Sequence, residues 1–167
     1  MSSADERQRF EAVVLPHLDA AYALARWLLR DPALAQDVVQ DAMVRALSYF
    51  AGYRGGDARA WVLRIVRNTA YAARTKGRAL GEEELDDQTP DGGADPERRY
   101  AQTEAVGLLG AAIARLPIEL RECLVLRELH EMSYRDIAEV TGAPVGTVMS
   151  RLWRARQALL AAREDAE

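Results

Sequence analysis

At 167 residues, with a net charge of −4 and nearly half its residues hydrophobic, the chain can form one packed domain or two small ones. A single cysteine, Cys123, excludes an internal disulfide and a cysteine-rich zinc site, and the lack of about twenty consecutive apolar residues excludes a membrane span. His17 and His130 stand far apart, and no phosphate loop, Ser-His-Asp arrangement or GxSxG is present, so no catalytic residue, metal ligand or cofactor is expected. The start Met-Ser-Ser-Ala-Asp-Glu-Arg carries no apolar signal segment, and a cytoplasmic protein is expected. Alanine and leucine abound while aromatics are few, which favours helices.

In chain order, the first helix is predicted from about Glu6 to Leu29, with Phe10, Val14, Leu18, Ala21, Ala25 and Leu28 on one face and Pro16 resetting its early turns. Asp31-Pro32 starts the next: aspartate caps, and proline takes the first helical position, where its missing N–H costs little. This helix runs to about Phe50 over a buried stripe of Ala35, Val39, Ala42, Met43, Ala46 and Phe50. Its opposite face carries Asp37, Gln40, Asp41 and, out of pattern, Val44. Solvated surface and a docking face for a basic partner explain that face equally well. Gly52-Tyr53-Arg54-Gly55-Gly56-Asp57 reads as a loop ending on a capping aspartate. The third helix spans about Ala58 to Lys76, with Ala58, Trp61, Val62, Ile65, Thr69 and Ala72 inward, Arg64, Arg67, Tyr71 and Arg74 outward, and Asn68 at the edge. Basic residues interleaved with an aromatic suit nucleic acid, because charge follows phosphates and rings stack on unpaired bases. A solvated basic face accounts for the same residues equally well.

Charge is strongly segregated. From Arg54 to Arg78 seven basic residues face Asp57 alone, whereas Gly81 to Glu97 holds eight acidic residues and no basic one. The acidity of that second stretch, with Gly81, Pro90, Gly92, Gly93 and Pro96 interrupting it, disfavours a packed core and marks a linker. Helices resume near Asp95-Pro96-Glu97 and run to Leu116; Pro117 starts another, with Leu120, Cys123, Leu124 and Arg127 along one side. Ser133 then caps a short helix with Tyr134, Ile137, Ala138 and Thr141 on one face, Gly142 stops it, and Pro144 opens a longer one. The buried stripe expected there is Val145, Val148, Leu152, Ala155 and Leu159; Thr147, Ser150, Arg151 and Arg154 point away, with Trp153 at the border. A short helix, a glycine turn and a helix with a hydroxyl- and arginine-rich outer face make a helix-turn-helix suited to the DNA major groove. The predicted fold class is all-α: two small helical domains, residues 1–78 and 97–167, joined by an acidic flexible linker at 79–96, with the helix-turn-helix in the second.

Three blocks carry a family resemblance. Asp37-Val38-Val39-Gln40-Asp41-Ala42-Met43 resembles the core-polymerase-binding motif of bacterial sigma factors of the extracytoplasmic-function group. Trp61-Val62-Leu63-Arg64-Ile65-Val66-Arg67-Asn68 is similar to the helix that handles the −10 promoter element. Leu116-Pro117, Ser133 to Ala138 and Gly146 to Arg156 resemble the −35-reading domain, except that Met149 stands where a basic residue is frequent. The resemblance implies a transcription initiation factor, monomeric when free, whose partners are core RNA polymerase, promoter DNA and an anti-sigma factor. It places polymerase contacts at Asp37, Gln40, Asp41 and Val44; −10 contacts at Tyr53, Arg54, Asp57, Arg64, Arg67, Asn68, Tyr71 and Arg74; and −35 contacts at Arg135, Thr147, Ser150, Arg151, Trp153 and Arg154. It also likens the acidic linker to a segment that threads toward the polymerase's RNA path.

Two other functions fit parts of this pattern less well. A free-standing operator-binding regulator needs a dimerisation element for paired half-sites, and none is visible. A sigma mimic that sequesters a protein partner would have eroded basic faces, yet Arg64, Arg67, Arg151 and Arg154 are present.

Overall fold

The computed structural model describes residues 2–79 and 104–166. These form eight α-helices: α1 (Ser3–Val14), α2 (Leu18–Leu29), α3 (Pro32–Tyr49), α4 (Ala58–Ala79), α5 (Glu104–Arg115), α6 (Ile118–Glu128), α7 (Tyr134–Thr141) and α8 (Val145–Ala166). No strand occurs among the described residues. Beyond Ala79, the linker assigned to 79–96 lies outside them, as does the helix start at Asp95-Pro96-Glu97.

Local sequence sets most boundaries. The Ser2 hydroxyl accepts from the Asp5 N–H while Asp5 reaches back, a complete capping box ahead of α1. Pro16 splits the long first helix: a 3₁₀ turn at Leu15–His17 separates α1 from α2. Asp31 caps α3 by accepting from the N–H groups of Ala33 and Leu34. Asp57 caps α4, its Oδ1 taking the Ala60 N–H at 3.2 Å. Ser133 caps α7, and Gly142 ends it at φ 72°, a left-handed conformation that glycine adopts without a Cβ clash.

Helices α2, α3 and α4 pack against one another, and α6, α7 and α8 form a second group. The two groups do not stand apart. α4 packs on α7 and α2 packs on α6, so one contiguous apolar cluster runs from Val14 to Ala155. This corrects three expectations. Leu63, Val66 and Ala70 are buried on α4, while Ala72, expected inward, is exposed. α6, expected to bury one side, is buried at Ile118 and at every position from Arg121 to Leu126, because one side meets α2 and another meets α8. Val145, expected in the core, is 41% exposed, and the stripe of α8 begins at Val148.

Arginines from both groups close the seam. Arg30 donates to the Ala114 carbonyl at 3.0 Å, Arg59 to the His130 carbonyl at 2.8 Å, and Arg121 to the Trp27 carbonyl at 2.9 Å. Each guanidinium satisfies a helix-end or turn carbonyl that otherwise lacks a partner.

Candidate nucleic-acid interface

The first surface lies on α3. Burial of Ala35, Val38, Ala42 and Ala46 turns Asp37, Gln40, Asp41 and Val44 to solvent. Val38, not Val39, carries the buried stripe; Val39 is half-buried. Asp41 pairs with Arg45 one turn on, at 3.3 Å. Leu47, 57% exposed, extends the apolar spot begun by Val44, which is 65% exposed. Sequence reading missed Leu47, although its i+3 spacing from Val44 puts both on one face.

The second surface surrounds the start of α4. Tyr53 stacks on Phe50 at 5.7 Å and leans on Trp61 at 4.9 Å, while Phe10 meets Phe50 edge-on at 5.4 Å. This aromatic cluster anchors the loop, and the Tyr53 hydroxyl donates to the Gly56 carbonyl at 3.3 Å. Gly55 and Gly56 have φ of 89° and 87°, so the loop needs them as glycines. Arg54 is exposed, whereas the Asp57 carboxylate is engaged as a helix cap. Beside the loop lies an open concavity of about 510 Å³, lined by Ser48, Tyr49, Gly52, Trp61, Arg64, Ile65 and Asn68. Arg64 and Asn68 stand exposed at it, a cation and an amide next to an aromatic wall.

The rest of the −10 set points elsewhere. Arg67 was expected outward, but its side chain is only 17% exposed. It grips Glu122 of α6 with two hydrogen bonds, Nε to Oε2 at 2.9 Å and Nη2 to Oε1 at 3.1 Å. Glu122 is fully buried. Tyr71 lies half-buried under the same guanidinium, 3.7 Å from its ring centroid. Burial, aided by the Glu122 carboxylate, pushes the Tyr71 hydroxyl well above its ordinary value. Arg74 is half-buried and has a partner of its own. The −10 set is therefore split: the loop, Arg64 and Asn68 face outward, while Arg67 and Tyr71 face the second helical group.

The third surface is the helix-turn-helix of α7 and α8. Arg135, Ser150, Trp153 and Arg154 are exposed on it, and Thr147 is half-buried. Arg151, expected outward, is half-buried, and its charge acts on the Cys123 thiol of α6. Burial pushes that thiol up to about 11, so Cys123 is a neutral core residue. Arg156 pairs with Glu128 at 3.1 Å. Arg127 braces the turn into α7, donating to the Met132 carbonyl at 2.8 Å with its guanidinium 4.9 Å from the Tyr134 ring centroid.

Among the described residues no cluster of His, Cys, Asp and Glu could hold a metal ion, and no helix is long and apolar enough to cross a membrane.

Comparison with known proteins places these surfaces in a family. The sigma-70 region 2 family matches residues 13–79, and the sigma-70 region 4 family matches residues 107–159. The RNA polymerase sigma-H factor of Pseudomonas aeruginosa is 33% identical over 165 residues, covering 92% of this chain and 86% of that one. The ECF RNA polymerase sigma-E factor of Escherichia coli is 36% identical over 135 residues, covering 74% and 70%. Among solved structures, the sigma factor RpoE of Bartonella quintana, in complex with the anti-sigma factor NepR, superposes with a TM-score of 0.74 at 26% identity, covering 94% of this chain and 98% of that one. CnrH in complex with the cytosolic domain of CnrY gives 0.66, also at 26% identity, covering 96% and 91%. The chain belongs to the sigma-70 family of RNA polymerase sigma factors, in its extracytoplasmic-function group.

Proposed function

We propose that the three surfaces divide the work of this alternative sigma factor as it directs RNA polymerase to promoters. The α3 face, with Asp37, Gln40, Asp41 and Val44, docks on core polymerase. The loop at Tyr53 and Arg54, with Arg64 and Asn68 at the concavity, takes an unpaired base of the melted −10 strand. Arg67, Tyr71 and Arg74 hold nearby strand once they are released. Arg135, Ser150, Trp153 and Arg154 read the −35 duplex. The observation that carries this reading is the exposed face of α8, which sets hydroxyl, indole and guanidinium groups outward from a capped helix-turn-helix.

The domains must separate for this to happen. The −35 and −10 elements lie about 25 base pairs apart, roughly 85 Å of B-DNA. A compact body of the described residues is only ~40 Å across. The 24 residues between α4 and α5 can span at most ~80 Å when extended, enough to bridge most of that distance in an opened chain. Closed, the factor cannot occupy both elements, and Arg67 is held by its own Glu122. Polymerase, by docking the two domains apart, supplies both the opening and the tether that raises their effective concentration on DNA.

An anti-sigma partner fits the same picture. RpoE superposes along nearly its whole length while bound to the anti-sigma factor NepR, and CnrH does so while bound to the cytosolic domain of CnrY, so a protein that holds this chain closed would keep it from polymerase. The cytoplasm, where polymerase works, is the proposed compartment. Co-purification of the full chain with core polymerase, followed by transcription from a candidate promoter, tests the reading. Binding with promoter-dependent transcripts supports it; a chain that leaves core polymerase unbound overturns it.

A further inference from the structure

Charge does not account for all of the outward face of α8. Val145, Met149 and Trp153 follow one another at i, i+4 and i+8, exposed by 41%, 52% and 63%. They are not spare core: the buried stripe of the helix is Val148, Leu152 and Ala155, all within 1% of full burial. Ser150 and Arg154 are exposed one residue further on in each turn, so an apolar line and a polar line run side by side. The apolar line is short. From Val145 to Trp153 it covers ~12 Å of helix, close to the ~12 Å width of the major groove. Beyond Trp153, Arg156 with its partner Glu128 interrupts it before Leu160. Gly146, in the first turn, has open space where a Cβ would stand, so nothing keeps the helix backbone from close approach there.

A side chain in the major groove meets acceptors on guanine, adenine and thymine, donors on cytosine and adenine, and one apolar group, the C5-methyl of thymine. The Met149 thioether has no hydrogen to donate and is a weak acceptor. Placed over a guanine edge or a cytosine amine, it would strip water from those groups and return nothing. Over a thymine methyl it loses no hydrogen bond and gains burial.

We propose that Met149, flanked by Trp153, reads thymine C5-methyl groups, so that the −35 element of this factor's promoters depends on thymine at the step facing the first two turns of α8, beside the contacts made by Ser150 and Arg154. This inference rests on the reading that α8 enters the −35 major groove. A protein partner on the same line is the competing occupant; the shortness of the line and the exposed Ser150 and Arg154 along it favour DNA.

Replacing thymine by uracil removes the methyl and leaves every base-pairing and groove hydrogen bond intact, which makes the test specific. Holoenzyme reconstituted from core polymerase and the full chain selects its −35 sequence from a randomised duplex pool. Each thymine of the selected element is then replaced singly by uracil. The expected result is a loss of about fourfold in affinity at one or two positions, the equivalent of one buried methyl group. Met149→Ala should bind the thymine duplex about fourfold more weakly and be indifferent to uracil at those positions, with unchanged thermal melting because the side chain is exposed. Met149→Arg should move the selected base toward guanine. A uracil series that is flat for the wild type, or a uracil penalty that persists in Met149→Ala, overturns the proposal. A flat series together with loss of core binding by Met149→Ala would assign the line to a protein partner. A holoenzyme that selects no −35 sequence at all sinks the groove reading itself, an outcome distinct from selection without methyl dependence.

Discussion

Substituting Glu122→Gln isolates one of the contacts that hold the two helical groups together, the one that covers residues proposed for the −10 strand. The carboxylate is fully buried and takes two hydrogen bonds from Arg67, at 2.9 and 3.1 Å. Glutamine keeps the shape and one acceptor oxygen but removes the charge, and a hydrogen bond between charged partners is worth ~1.5–3 kcal/mol. Losing about 2 kcal/mol from the closed form shifts the closed-to-open ratio by about thirtyfold. A ligand that binds only the open form is weakened by the fraction that is open. The free variant should therefore bind single-stranded −10 DNA up to about thirtyfold more tightly than the wild type, and its radius of gyration by X-ray scattering should rise. Fluorescence anisotropy with a labelled −10 strand reads the first quantity. Arg67→Ala is the matching control: it leaves Glu122 buried without its partner, opening the chain, but it also removes a proposed strand contact, so expansion should come without tighter binding. A Glu122→Gln protein that expands yet binds no more tightly would show that Arg67 and Tyr71 do not hold DNA. One that neither expands nor binds more tightly would show that the ion pair does not keep the chain closed.

The remaining predictions concern the other surfaces. Asp41→Arg should weaken association with core polymerase in a pull-down while melting within about 1 kcal/mol of wild type, because the exposed pair with Arg45 contributes little. Leu152→Ala should cost roughly 2–5 kcal/mol of stability by emptying a site that is 1% exposed, whereas Arg154→Ala should keep its melting temperature and lose transcription from promoters that rely on the −35 element. His130 is held below its ordinary value of 6.5 by burial and by Arg59. The unfolded chain then binds the extra proton first, so stability should fall as pH drops through 6.5; chemical denaturation across that range should show a shallower fall in His130→Gln.

The caps were legible in the sequence because their causes are local. Asp31, Asp57, Ser133 and Gly142 each act on backbone groups within four residues, so residue type alone locates them. Helical periodicity likewise located Asp37, Gln40, Asp41 and Val44 on the exposed face of α3 and Ser150 and Arg154 on that of α8, but it misplaced Arg151 and Val145. What stayed hidden was the seam. Arg121 and Glu122 look like surface residues, and no residue near them in the chain reveals partners at Trp27 and Arg67. One signal was available: Trp61, Val62, Leu63, Ile65, Val66 and Ala70 spread over an arc of about 200° on α4, wider than the stripe of a helix packed on one side. The exposure of Val145 had no such signal. It sits one turn before Met149 on the outward side, where the core stripe has not yet begun.

This chain gives RNA polymerase its choice of promoter. Core polymerase alone and core polymerase with the full chain can each transcribe the same fragmented genomic DNA, and the 5′ ends of the transcripts can be sequenced. A set of starts should appear only with the chain, each preceded by a shared two-part sequence near −35 and −10. Identical start sites with and without the chain would contradict it.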